Sequence, residues 1–316
     1  VEADYTLTFQ FPKLAFVFSE NDRYVGEWHV LPIGIHEDFI EQVDVSNFFI
    51  EREEAMLIRK PRAKFSHKGN FGHALLISGS YGKMGAAVLS SHACLAAGAG
   101  LLTCHIPKTG YNILQTAIPE AMVSVDEEEK LISNCPDSGP YNAIGIGPGI
   151  GTSEETAKAL KLLIQNTSIP LLFDADAINI LGANKTWLPF IPKGSIFTPH
   201  PKEFERLAGK SRDHFERNQL QREFSMKYGV YIVLKGAFTA VSCPDGSCYF
   251  NSTGNPGMAS AGSGDALTGI ILGLLAQNYS PRQAAILGVY AHGLAGDLAA
   301  KQKGHEALMA RDIIEN

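Results

Sequence analysis

A glycine-rich loop that delivers a carboxylate to the start of an apolar helix is the feature of this 316-residue chain best suited to chemistry. The stretch Asn255-Pro-Gly257-Met-Ala-Ser-Ala-Gly262-Ser263-Gly264-Asp265 runs into Ala-Leu-Thr-Gly-Ile-Ile-Leu-Gly-Leu-Leu-Ala, whose spacing and length predict a buried helix. Glycines before a helix let backbone come close to a ligand, and the N–H groups of the first turn suit phosphate. An acid in that turn repels phosphate, so plain anion binding does not account for it. It makes sense if Asp265 takes a proton from a group about to meet the phosphate. The other reading of the spacing is that Asp265 caps the helix, an ordinary role for an acid there. Spacing alone leaves both open.

Further candidates follow apolar runs that read as strands. Gly79-Ser-Tyr-Gly82-Lys83-Met84-Gly85 comes after Ala74–Ser78, and Gly147-Pro-Gly149-Ile150-Gly151 after Ala143–Ile146. Neither is a known phosphate fingerprint. A dinucleotide loop beginning at Gly145 needs glycine where Ile150 stands, and a Walker loop needs Ser or Thr where Met84 follows Lys83. Both still let a ligand touch backbone, or else serve as tight turns between strand and helix. Asp174-Ala-Asp176 follows Pro170–Phe173 and offers two acids for a metal or for helix capping; capping is expected for one of them. His200, between Pro199 and Pro201 after Ser195–Thr198, is held stiffly outside any helix interior. Lys235-Gly236-Ala237-Phe238-Thr239 follows Tyr231–Leu234 and supplies a cation and a hydroxyl suited to a nucleotide phosphate.

The elements that must position these groups alternate strand and helix from His73 onward, with glycine or polar residues always after the strand. That order predicts a parallel α/β sheet, in which ligands sit at the carboxyl ends of strands. All five post-strand segments then line one cleft. Residues 1–35 read instead as strands, at Thr6–Phe9, Leu14–Phe18 and Trp28–Leu31, too few to form a stable unit alone. Residues 36–65 are charged and irregular, with a short helix expected at Glu51–Arg59.

Composition narrows the function classes. A net charge of −6 argues against a nucleic-acid surface or an anionic membrane partner. No apolar run reaches the roughly 18 residues that span a bilayer. Five cysteines without a CxxC pair fit reduced thiols and a cytoplasmic setting; Cys243 and Cys248 are expected to face each other across a hairpin turn at Pro244-Asp245-Gly246.

The ordered set Lys68–His73, Gly79-Ser80…Gly85-Ala86-Ala87, Ala97–Thr103, Gly147-Pro-Gly149, Asp174-Ala-Asp176-Ala, Thr198-Pro-His200-Pro-Lys-Glu-Phe204, Lys235-Gly236, Gly254–Asp265 and Ala291–Ala300 resembles the ADP-dependent NAD(P)H-hydrate dehydratases of the ribokinase-like superfamily. The resemblance covers residue 52 to the end and implies a three-layer αβα fold with a mostly parallel central sheet, preceded by a short N-terminal β segment. Residues 1–35 resemble the last strands of an NAD(P)H-hydrate epimerase domain without its phosphate loop or catalytic residues, so no epimerase activity is expected of them. Residues 36–51 are then a linker.

The family's chemistry implies that ADP phosphorylates the hydroxyl of hydrated NADH or NADPH (the S-epimer), turning a poor leaving group into a good one, with AMP and phosphate formed. By this resemblance Asp265 is the general base and Gly262, Ser263 and Gly264 form the anion hole. Lys235, Gly236, Ala237, Phe238, Thr239 and Gly264 contact ADP, and Ala86, Gly149, His200 and Asp265 contact the hydrate. Magnesium is expected with the diphosphate, although no carboxylate pair identifies its seat. A homotetramer is expected too, with the small-residue helix Ala86–Ala97 permitting close packing. Two rival readings are a ribokinase-like kinase of a small alcohol, which would leave phosphate on its product, and a non-catalytic nucleotide binder, which gains little from a carboxylate beside phosphate.

Overall fold

Short apolar runs bounded by glycine, proline or aspartate make nearly all the strands, and their near-continuous hydrophobicity marks them for burial on both faces. The computed structural model describes residues 2–316. Its strands are β1 Tyr5–Phe9, β2 Glu27–Leu31, β3 Asn47–Ile50, β4 His73–Ile77, β5 Leu101–Ile106, β6 Met122–Val125, β7 Ala143–Ile146, β8 Leu171–Phe173, β9 Ile196–Phe197, β10 Tyr231–Leu234, β11 Ala240–Ser242 and β12 Cys248–Asn251. Ten of them form one sheet in the order β3-β12-β11-β10-β9-β8-β7-β4-β5-β6. Only β11 runs antiparallel to its neighbours.

Period-two alternation splits each central strand between two cores. Ala74 and Leu76 of β4 face the layer of helices Met84–Ala96, Ser263–Ala276 and Pro281–Lys303, whereas Leu75 and Ile77 face helices Glu154–Asn166 and Ala175–Ala183. The result is the expected three-layer αβα arrangement. Helices Met84–Ala96 and Ser263–Ala276 press together through small residues. A Cβ on Gly269 would stand 2.2 Å from the Ser90 carbonyl oxygen, and one on Gly273 would stand 2.5 Å from that of Cys94. One face of the small-residue helix is therefore used in packing within the chain, while Gly85, His92 and Ala96 stay exposed.

Three local expectations are corrected. Leu14–Val17 is a 3₁₀ turn rather than a strand. β1 and β2 pair directly with each other in parallel, which leaves that run no ladder to join. It instead turns Leu14, Val17 and Phe18 onto Ala240, Cys248 and Phe250. Residues 36–51 are not irregular: they hold a helix at Glu37–Gln42 and β3, which hydrogen-bonds in parallel along β12. A short apolar run, Asn47-Phe-Phe-Ile50, covers what would otherwise be an open sheet edge. The hairpin at 243–248 forms, but Cys248 faces Ser242 while the Cys243 N–H donates to the Ser247 carbonyl at 2.9 Å, so the two cysteines are one step out of register.

Candidate active site

The strands that precede the five polar segments, β4, β7, β8, β9 and β10, are consecutive neighbours and all parallel. Parallel pairing puts their carboxyl ends on one edge, so the segments that follow them share a cleft.

Asp174, just past β8, is the fixed centre of that edge and is 1% exposed. Its Oδ1 accepts the Lys235 ammonium at 3.0 Å and the Thr198 hydroxyl at 2.8 Å, and its Oδ2 accepts the Thr268 hydroxyl at 2.8 Å. Asp174 occupies the N-cap position of helix Ala175–Ala183, yet its side chain makes no capping bond. Asp176, in the first turn, accepts the Gly151 N–H at 2.8 Å and pairs with Lys83 at 3.2 Å. Neither acid caps through its side chain, which corrects the expectation of a cap. Each is claimed by donors from other strand ends, and between them Ala175 sits at φ 46°, in the left-handed region. That conformation costs about 1–2 kcal/mol for a non-glycine residue and is the kind of strain that concentrates at functional turns.

The two glycine loops are joined to each other. The Ser78 and Ser80 hydroxyls donate to the carbonyls of Pro148 and Gly149 at 2.6 Å each, and the Gly79 N–H donates to Pro148 at 2.8 Å. Gly149 stands so near Ala86 that a Cβ on it would lie 3.1 Å from the Ala86 methyl. These two residues, far apart in sequence, form one small-walled surface.

His200 is the N-cap of helix Pro201–Ala208. Its Nδ1 accepts the N–H groups of Lys202 and Glu203 at 3.1 and 3.3 Å, while Nε2 lies 3.3 Å from Glu203 Oε1. Burial, then the neighbouring Lys235 and Arg206 cations, hold the imidazole below its ordinary range against the pull of Glu203 and Asp174. A neutral, half-exposed imidazole is thus held at the cleft edge.

Helix Ser263–Ala276 starts at an N-cap, Gly262, in the left-handed region at φ 89°. A side chain there would be strained, and its Cβ would meet Leu89 at 2.5 Å, so glycine is required on both counts. The Ser263 N–H reaches the Ser260 carbonyl at a long 3.4 Å. Among the described residues, the N–H groups of Gly262 and Gly264 meet no acceptor of the chain. Lys235 Nζ lies close by, 3.3 Å from where a Gly264 Cβ would be. Asp265 follows in the same turn, and no hydrogen bond or ion pair from the described residues reaches its carboxylate. Burial first, then the Asp174 and Asp176 carboxylates, push its pKa up to about 6, with Lys235 opposing. A capping acid is stabilised in its charged form; this one is not.

Two supports of the turn lie in the Ala291–Ala300 motif, to whose residues sequence reasoning gave no role. His292 is partly buried, desolvation pushes its pKa down to about 4, and its Nε2 lies 2.9 Å from the Ser263 carbonyl. Asp297 accepts the Gly254 N–H at 3.0 Å and the Asn255 amide at 2.9 Å, anchoring the loop that leads to Gly262. The available signal was polar residues inside the small-residue helix Pro281–Lys303, which a purely structural helix has little reason to carry.

In the Lys235–Thr239 segment the Thr239 hydroxyl bonds back to the Gly236 carbonyl at 3.0 Å and closes a turn. Leu234, Lys235, Gly236, Ala237 and Phe238 line a cavity of about 470 Å³. For a metal, the donor set is poor. Among the described residues no three His, Cys, Asp or Glu side chains converge, and Asp174 and Asp176 are already engaged. Magnesium commonly rides on phosphate oxygens and water instead of on a full set of protein ligands.

Residues 74–316 match the family model described as NAD(P)H-hydrate dehydratase. The chain is 35% identical over its whole length to a bifunctional NAD(P)H-hydrate repair enzyme of Moorella thermoacetica, and it spans 61% of that relative's length. Among solved structures it is similar to the ADP/ATP-dependent NAD(P)H-hydrate dehydratase of Bacillus subtilis co-crystallised with ATP and Mg²⁺. That likeness has 30% identity and a TM-score of 0.73, covering 85% of this chain and 95% of the other. A ribokinase-like superfamily protein of Enterococcus faecalis is 29% identical with a TM-score of 0.74, covering 86% of this chain and 94% of its own.

Proposed function

The chain belongs to the NAD(P)H-hydrate dehydratase family, and on that premise we propose that it dehydrates the S-epimer of hydrated NADH and NADPH at the expense of ADP. The observation that carries the reading is Asp265: a carboxylate with its pKa near 6, beside unfilled N–H groups and a fixed lysine. A general base works best with a pKa near the working pH, and an anion hole works best when its donors are already oriented.

In the first step the hydrate's hydroxyl oxygen bonds to the β-phosphorus of ADP as Asp265 takes its proton, and the bond from that phosphorus to AMP breaks. Gly262, Ser263 and Gly264, with Lys235, receive the charge on the phosphoryl oxygens. In the second step the ring nitrogen's electron pair expels phosphate from the ring carbon. The neighbouring carbon then gives up a proton, restoring the reduced nicotinamide. Ala86 and Gly149 give the hydrate a close, flat approach, and His200 offers a neutral hydrogen-bonding edge. Lys235 to Thr239 and Gly264 hold the nucleotide. Magnesium carried on the diphosphate oxygens would help to neutralise their charge beside Lys235.

Residues 1–35 are read as the end of an epimerase domain with no epimerase chemistry of their own and 36–51 as its connection, of which Asn47–Ile50 is taken into the sheet of the dehydratase body at 52–316. The tetramer rests on family resemblance, and the cytoplasmic setting on the five cysteines without a CxxC pair. No described helix is long and apolar enough to cross a membrane.

Incubation with hydrated NADH and ADP tests the reading. Reduced-nicotinamide absorbance should return while free phosphate and AMP appear in equal amounts. A kinase of a small alcohol would use the same base and anion hole but keep the phosphate on its product. No recovery of absorbance, with phosphate retained on an added alcohol, overturns the dehydratase in favour of that kinase.

A further inference from the structure

The cavity beside Lys235 has a second wall that comes from the opposite end of the sequence. Phe16, Phe18 and Asp22 line it across from Leu234, Lys235 and Phe238. All three lie outside residues 74–316, the part that matches the family model.

The wall is anchored on both flanks. The Ser19 N–H donates to His214 Nδ1 at 3.1 Å, and the His214 N–H donates back to Glu20 at 3.0 Å. This clasps the segment to the start of helix His214–Tyr228. Behind the cavity a run of aromatic contacts links the two walls. Phe16 packs on Trp28 with ring centres 5.9 Å apart, Trp28 on Phe49 at 5.8 Å, and Phe49 on Phe238 at 6.3 Å. Phe18 is 8% exposed and meets Phe215 and Phe250 edge-on, each at 6.3 Å. An aromatic slot with a lysine at one end, whose Nζ reaches to within 3.3 Å of where a Gly264 Cβ would stand, suits a flat base joined to phosphates.

We propose that Phe16–Asp22 is a specificity-determining wall of the nucleotide site, closing on the purine of a nucleoside diphosphate whose phosphates reach Lys235 and the Gly262–Gly264 turn. The inference rests on the ADP-dependent reading above. It assigns the N-terminal segment a part in choosing the co-substrate. Asp22, which when ionised can only accept hydrogen bonds, favours a base that presents an amino donor, as adenine does, over one that presents a carbonyl at the same place.

The test compares the full chain with Phe16→Ala, Phe16→Leu and Asp22→Ala by calorimetric titration with ADP and GDP, and by steady-state rates on the hydrate. Phe16→Ala should weaken ADP about tenfold, as loss of a base-contacting aromatic does. Phe16→Leu keeps the fold's bulk and should fall in between. Asp22→Ala should cut the preference for ADP over GDP roughly fivefold, because a single polar contact to the base is lost. The KM for the hydrate should stay within about twofold in all three, since none of them faces that part of the cleft. ADP and GDP affinities equal to wild type in the variants overturn the wall while leaving the ADP reading standing. So does an equal loss for both nucleotides and the hydrate, which is the mark of a general folding defect. A wild-type chain that binds no ADP overturns the ADP reading, and this inference with it.

Discussion

Asp126 and Asp265 are both largely withdrawn from water, and they differ in everything else that decides a role. Asp126, just past β6, is 1% exposed and collects donors. It accepts the N–H groups of Glu128, Ser133 and Asn134 at 2.8–3.1 Å and the Ser133 hydroxyl at 2.6 Å, and it lies 3.2 Å from the buried His105 imidazole. Burial alone would raise its pKa, but the bonds from Ser133, Glu128 and Asn134 outweigh that and the net direction is down. Asp265 has burial and two like charges against a single cation, and its pKa rises to about 6. One acid is a knot tying a loop to the sheet edge. The other is left wanting a proton, with space and N–H groups beside it. Hydrogen-bond satisfaction separates a structural carboxylate from a reactive one better than burial does.

The largest effect that tests this contrast is on rate. Asp265→Asn should keep ADP binding and lose roughly two to four orders of magnitude in turnover, as removal of a general base does. Wild-type rate should fall as pH drops below about 6, where the carboxylate protonates. Near wild-type turnover in the mutant would return Asp265 to the status of a helix-start residue. Asp126→Asn should do the reverse, leaving the turnover of folded protein unchanged while lowering stability by about 2–4 kcal/mol in urea unfolding, since charge-assisted bonds are lost in a buried place. A mutant as stable as wild type would break the contrast from the other side.

Next in size is a stability effect of opposite sign. The folded pKa of Asp265 lies above its unfolded value. The carboxylate therefore costs nothing below about pH 4, and its cost grows as pH rises through about 6. Asp265→Asn should then stabilise the protein by about 1–3 kcal/mol at pH 8 and by nothing measurable at pH 4. For Asp126, whose folded pKa is lowered, the contribution is present at neutral pH and lost in acid as pH falls through the folded value. Unfolding curves at the two pH values check both signs; a Tm of Asp265→Asn below wild type at pH 8 contradicts the proposed strain.

Much of this was legible because strand ends announce themselves. The runs ahead of Gly79, Gly147, Asp174, His200 and Lys235 are apolar and short, and parallel pairing then gathers the five segments without further information. The failures have a common cause, which is that partners lie far away in sequence. Leu14–Val17 looks like a strand until β1 and β2 are seen to pair without it. Asp174 looks like a cap, and only the folded sheet brings it Lys235 and Thr268, 61 and 94 residues later. β3 was hidden in a charged stretch because nothing local tells a short apolar run that β12 has a free edge. The N-terminal wall at Phe16–Asp22 was invisible for the same reason, since Phe238 lies 222 residues beyond Phe16.

The smallest expected effect reaches Asp265 indirectly. Thr268 is fully buried in an otherwise apolar helix, and its hydroxyl serves Asp174. Thr268→Val keeps the shape and removes one of three donors, so stability should fall by about 1–2 kcal/mol. Lys235 and Thr198 still hold Asp174, whose negative charge is then less well compensated. That charge already raises the pKa of Asp265, and a less screened neighbour should raise it further. The acid limb of the rate profile should then move to higher pH by a few tenths, with turnover on the plateau kept. An acid limb that stays in place, while stability falls as expected, would confine Thr268 to holding Asp174 and remove Asp174 from the control of the base.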